Sequence, residues 1–113
     1  MRKRCFMWLA AFAIAVPSVS LHAGVRLYDL EGFVTACLAS SSKLTRPVCE
    51  CTAKKAAEAL SPMGFQFLTA TLRKDKEESL KLRGKLESAE LSTAGEFMST
   101  GPAECAEELK RSR

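Results

Sequence analysis

Histidine is nearly missing from this 113-residue chain: there is one, His22, close to the N-terminus. No segment alternates strictly between apolar and polar residues, and neither Asn-Gly nor Asp-Gly occurs, so the usual signals for strands and hairpins are lacking. The longest unbroken apolar run, Cys5 to Val16, has 12 residues. A membrane-spanning helix needs about 20. There is no phosphate loop, nucleotide fingerprint, His-Glu-x-x-His pair or calcium loop, and no catalytic residue, metal ligand or cofactor is assigned. A surplus of positive charge is also largely illusory. The whole chain holds 17 basic and 13 acidic residues, but Arg2, Lys3 and Arg4 sit in the leader described next. Without them the balance is 14 against 13, which gives no basis for nucleic-acid binding.

What is present begins with that leader. Arg2, Lys3 and Arg4 precede the apolar run, and Pro17, Ser18 and small residues up to Ala23 follow it. This is the three-part layout of a secretory signal peptide, with cleavage after Ser20 or Ala23. Cys5 stands at the front of the run, unlike a lipid-modified cysteine. Residues 1–23 are therefore expected to be removed, leaving 24–113 as one domain in the periplasm or secreted space. A core of about 90 residues is marginal and often needs covalent help. The remaining cysteines are Cys37, Cys49, Cys51 and Cys105, an even number that reads as two disulfides in an exported chain.

The apolar periodicity is helical throughout. Leu30, Phe33, Val34, Cys37 and Leu38 mark one face of a helix over Tyr28 to Lys43, with Asp29 as its cap. A short link leads to Pro47, expected at the first position of a second helix running to about Leu60. On that helix Val48, Cys49, Thr52, Ala53, Ala56, Ala59 and Leu60 share the apolar face. Cys51 lies about 200° round from Cys49, among Glu50, Lys54, Lys55 and Glu58. Ser61 and Pro62 start a third helix, expected to run to about Leu91, with a break near Arg73 to Glu78 as the alternative. Thr93 to Glu96 matches a capping box and is expected to open a short helix. Gly101-Pro102 should interrupt that helix before a final turn or two bearing Cys105, and Lys110 to Arg113 should fray. The expected fold is all-α: a small disulfide-stapled bundle of a helical hairpin, one long helix and a short C-terminal helix.

Cys49-Glu50-Cys51 carries three readings: two staples to different partners, a strained mutual redox disulfide, or thiolates for a soft metal. Side chains two apart on a helix point away from each other, which disfavours the mutual bond. The metal reading wants further ligands, and the chain offers little besides Met63 and Met98. Two pairings then remain, Cys37–Cys49 with Cys51–Cys105 or Cys37–Cys51 with Cys49–Cys105. Cys37 and Cys49 are each central on an apolar face, which favours the first. Ser40-Ser41-Ser42-Lys43 is a solvated loop rather than a Ser/Lys nucleophile site, since neighbouring loop residues form no organised dyad. The mixed charges of Arg73 to Glu87 read as a solvated helix face. Phe65 and Phe97 are core candidates. Phe67, on the opposite side of the third helix from Phe65 and Leu72, is the apolar residue expected to be exposed and a possible partner surface.

The spacing Phe33-x3-Cys37-x11-Cys49-x-Cys51, a helix ending Ala59-Leu60-Ser61-Pro62 and the late Cys105 resemble a group of uncharacterised small proteobacterial periplasmic helical proteins. Val48 departs from the group, which often has an aromatic residue before Cys-x-Cys. The resemblance implies an exported bacterial protein and carries no activity with it. The expected function is binding of another protein, as an accessory, inhibitor or immunity-type component, without catalysis, nucleic acid or stable membrane insertion after cleavage. Its rivals are a metal- or redox-handling protein using Cys49 and Cys51, and a membrane-tethered accessory subunit.

Overall fold

Asp29 fixes where the first helix begins: its carboxylate accepts from the Gly32 N–H at 2.9 Å, supplying one of the partners that a helix start leaves open. In the computed structural model, which describes residues 27–112, this helix is α1, Leu30–Ser40. It stops short of the expected Lys43, because Ser41 turns extended at its C-cap. The Ser41 hydroxyl then accepts from the Lys43 N–H at 3.2 Å, holding the turn. The second helix, α2, is Arg46–Ala59, with Pro47 one position deeper than expected. Of its apolar face, Cys49, Thr52, Ala53, Ala56 and the following Leu60 are buried, whereas Ala59 is exposed. The Tyr28 hydroxyl donates to the Leu60 carbonyl at 2.9 Å, so an aromatic ring closes the far end of α2.

Ser61 caps α3, Pro62–Leu72, accepting from the Gly64 N–H at 3.1 Å. The long third helix does not form. At its end Lys74 takes φ 62°, the Lys74 N–H donates to the Thr71 carbonyl and the Asp75 N–H to the Ala70 carbonyl, both at 3.0 Å. That pair of bonds is a Schellman C-cap, here with lysine in the left-handed position where glycine is usual. Asp75 then caps the next helix, α4, Lys76–Arg83, through the Glu78 N–H at 3.2 Å. This is the alternative break at Arg73 to Glu78, and a second break follows at Gly84 to Glu87.

The long helix comes last. It is α5, Ser88–Arg111, and it overturns three expectations. Thr93 starts nothing: it lies inside the helix, with its hydroxyl donating to the Ala89 carbonyl at 3.1 Å. Gly101-Pro102 does not interrupt, since the helix continues through Pro102. Proline here deprives the Met98 carbonyl of its partner. Met98 is exposed, so water can serve that oxygen. Lys110 and Arg111 belong to the helix rather than to a frayed tail.

The core gathers Phe33, Val34, Cys37, Cys49, Ala53, Ala56, Leu60, Phe65, Leu68 and Ala94. Phe65 stacks at its centre, 5.3 Å from the Phe33 ring and edge-on to Tyr28 at 5.4 Å. Both buried threonines are satisfied within their own helices, Thr52 donating to the Val48 carbonyl and Thr69 to the Phe65 carbonyl. The helix α2 packs on α1 and α5, and α3 on α1, α4 and α5, whereas α4 rests mainly on α3. Gly101 is buried where α5 approaches α2. A β-carbon there would sit 3.3 Å from a Thr52 methyl and 3.1 Å from the Phe97 ring. Among the described residues no helix is long and apolar enough to cross a membrane. The expected signal peptide, residues 1–23, lies outside them.

Candidate functional site

Helix geometry turns the Cys-x-Cys spacing into two separate clasps. On α2, Cys49 points into the core and bonds to Cys37 of α1; Cys51 points to the other side and bonds to Cys105 of α5. Both bridges span 5.9 Å between α-carbons, within the ordinary range. This is the pairing that the apolar faces favour. Cys37, Cys49 and Cys105 are buried and Cys51 is half-buried. Cys49 and Cys51 do not bond to each other. Among the described residues no three His, Cys, Asp or Glu side chains are grouped to hold a metal ion. Two disulfides fit an oxidising extracytoplasmic compartment.

The clasps position an apolar groove. Cys37 forms part of its floor, and Phe33, Leu44, Leu68, Leu72, Phe97 and Met98 line it, with a volume of about 220 Å³. No charged side chain lines this groove. Small-molecule sites usually run from about 300 to 1,000 Å³. The groove is smaller, of a size for one or two apolar side chains. Its lining comes from α1, the link that follows it, Thr52 of α2, α3 and α5, so residues 33 and 98 meet through tertiary packing. No sequence motif points to it; Phe97 alone among its α5 residues is a core candidate by sequence.

Phe67 is not the exposed aromatic residue expected: it is half-buried and packs against the core cluster. The exposed large apolar side chains include Leu80, 64 % exposed on α4, and Met98, 43 % exposed at the groove. Two other concavities are polar or broad. One of about 370 Å³ is bordered by Asp29, Gln66, Thr69, Arg73, Asp75 and Glu78. The other, of about 650 Å³, lies between Met63, Gln66, Leu86 and Glu90. The hydroxyls at their edges are already engaged, Thr69 donating to the Phe65 carbonyl and Ser61 accepting from the Gly64 N–H.

Charge pairs tie the same helices together. Arg46 bridges Glu31 of α1 at 3.2 Å and Glu50 of α2 at 3.3 Å, and these hydrogen bonds raise its pKa further. Lys55 of α2 donates to Glu108 of α5, and that hydrogen bond raises the lysine above its ordinary range. No family model, curated protein or solved structure matches this chain.

Proposed function

We propose that this is an exported, disulfide-stapled helical protein that acts by binding another protein through the groove beside Cys37, without catalysis of its own. The observation that carries the reading is the groove: apolar, uncharged, bordered by the exposed Met98, and too small for a typical cofactor. Such a surface suits a partner's apolar anchor side chain, which usually dominates the energy of a protein interface. The basic start and short apolar run of residues 1–23 support secretion to the periplasm or beyond, as does disulfide pairing of all four remaining cysteines. The resemblance to small periplasmic proteins of the Cys-x-Cys group supports the same compartment.

Site-specific crosslinking tests the binding reading. A photoreactive residue at Met98, in the protein secreted by its own cell, should give one discrete adduct with another polypeptide chain. That adduct should disappear when Leu72→Asp places a charge in the groove. A Met98 probe that yields no adduct beyond those from a probe at the exposed Lys54 overturns it. The compartment is tested separately: mature material should begin after Ser20 or Ala23, and an intact mass that retains Met1 to Val16 overturns export by a cleaved signal.

A further inference from the structure

The charge on this molecule is divided by element. Residues 73–85, the α3–α4 elbow and α4, carry Arg73, Lys74, Lys76, Lys81, Arg83 and Lys85 against Asp75, Glu77 and Glu78. Residues 86–109, most of α5, carry six glutamates and no lysine or arginine; Lys110 and Arg111 end the helix, and Lys55 of α2 pairs with Glu108 and lies within the field of Glu104. The one ion pair formed inside the basic segment among the described residues is Lys81 with Glu78, at 4.0 Å.

Each pole also has an apolar feature at its surface. On α4 the buried side is marked by Leu82, which rests inward. Leu80 is on the outer side, with Lys76 one turn before it and Arg83 one turn after. On α5, Gly95, Ser99 and Ala103 form an exposed i, i+4 row. A β-carbon at Gly95 would meet nothing within 4 Å, so this row offers a low crest over which another helix can lie closely. Met98 and Pro102 border it on the groove side, and Glu96 and Glu104 flank its other side.

We propose that these two surfaces are complementary halves of a self-association site. In it, α4 of one copy crosses α5 of a second, Leu80 enters the groove beside Met98, and Lys76 and Arg83 meet Glu96 and Glu104. This rests on the reading of the groove as a protein-docking surface and names a second copy as its occupant. The contact is heterologous, because the knob and the socket are different patches. It does not close on itself as a symmetric dimer would, and a joined pair keeps one free knob and one free socket to which further copies can add. Charge steering makes it salt-sensitive.

Sedimentation of the oxidised mature protein tests this. At low salt its average mass should rise steadily with concentration, past a dimer, and about 0.5 M salt should weaken association by about tenfold or more. Leu80→Asp and Met98→Asp alter exposed side chains, and each variant should keep its helical far-UV spectrum and remain monomeric alone. Mixed one to one, they should form a discrete dimer, since the first retains a socket and the second a knob. A wild-type protein that is monomeric at every concentration overturns the proposal, as does association that survives Leu80→Asp or a mixture that stays monomeric. If self-association fails while the Met98 probe still captures a different polypeptide, the binding reading stands and this one falls.

Discussion

Two regions of this protein are held by opposite means. Around α2, covalent bonds and small residues do the work: Cys49 and Cys51 fasten α1 and α5, and Ala53, Ala56, Ala94 and Gly101 let the helices approach closely. The α4 limb has no bridge and one buried apolar side chain, Leu82. Its definition comes from caps, Lys74 in the left-handed position and Asp75 on the Glu78 N–H. Crosslinks act by restricting the unfolded chain, whereas caps act on a turn at a time. The stapled region should therefore unfold with the whole domain, and the limb should open on its own at lower cost.

The largest break in this contrast is loss of a staple. In the chain-entropy model the Cys51–Cys105 bridge, whose ends are 54 positions apart, contributes about 4 kcal/mol and the Cys37–Cys49 bridge, 12 positions apart, about 3. Urea titration of Cys51→Ser with Cys105→Ser should show the greater loss, Cys37→Ser with Cys49→Ser the lesser, and full reduction should abolish cooperative unfolding. The first double variant should expose no free thiol; reaction of both remaining cysteines in folded protein would disprove the pairing.

Leu82→Ala should cost about 2 kcal/mol, near the low end for a buried leucine because α4 is a thin limb that can settle. The loss should appear in hydrogen exchange as faster opening of residues 76–83, with α2 amides little changed. Protection lost equally in α2 would erase the distinction between the regions.

Lys74→Gly sharpens it in the other direction. Removing the β-carbon where φ is 62° should stabilise by about 0.5–1 kcal/mol, read as a higher denaturation midpoint. A decrease would mean that the lysine side chain matters more than its backbone strain.

The smallest effect is electrostatic. Lys55 binds its proton more tightly in the folded state because of Glu108, so the pair's stabilisation is present below the ordinary lysine pKa and lost as pH rises through the raised folded value. Both groups are partly exposed, so the effect is small. Melting temperatures of wild type and Lys55→Met should differ slightly at neutral pH and converge in strongly alkaline buffer. A gap that persists there would assign it to packing.

The helical class, the caps at Asp29 and Ser61, the apolar face of α2 and the favoured pairing of its two cysteines were legible because each follows from spacing along one helix. Asp75 with Glu78 has the spacing of a cap as well, yet it falls inside the span expected to be one helix to Leu91, while the similar Thr93-Glu96 pattern lies inside α5. A side chain three residues upstream can cap only where the backbone has already left the helix, and sequence spacing does not report that. The break at Lys74 was legible only as an alternative, because lysine does not announce a left-handed backbone as glycine does. Phe67 was misjudged because a wheel places a residue on a face but does not say which neighbour covers it.

By itself, the sequence determined an all-helical chain with four pairable cysteines, since helix periodicity and caps are local properties that each segment carries alone. Tertiary structure decided that α5 runs through Pro102, that α4 stands off as a separate limb, and that residues 33 to 98 close around an apolar groove. Those outcomes depend on which faces meet. Gly101 against Thr52 and Cys105 bonded to Cys51 are available only once α2 is there to pack against α5, and they hold the helix continuous across Pro102.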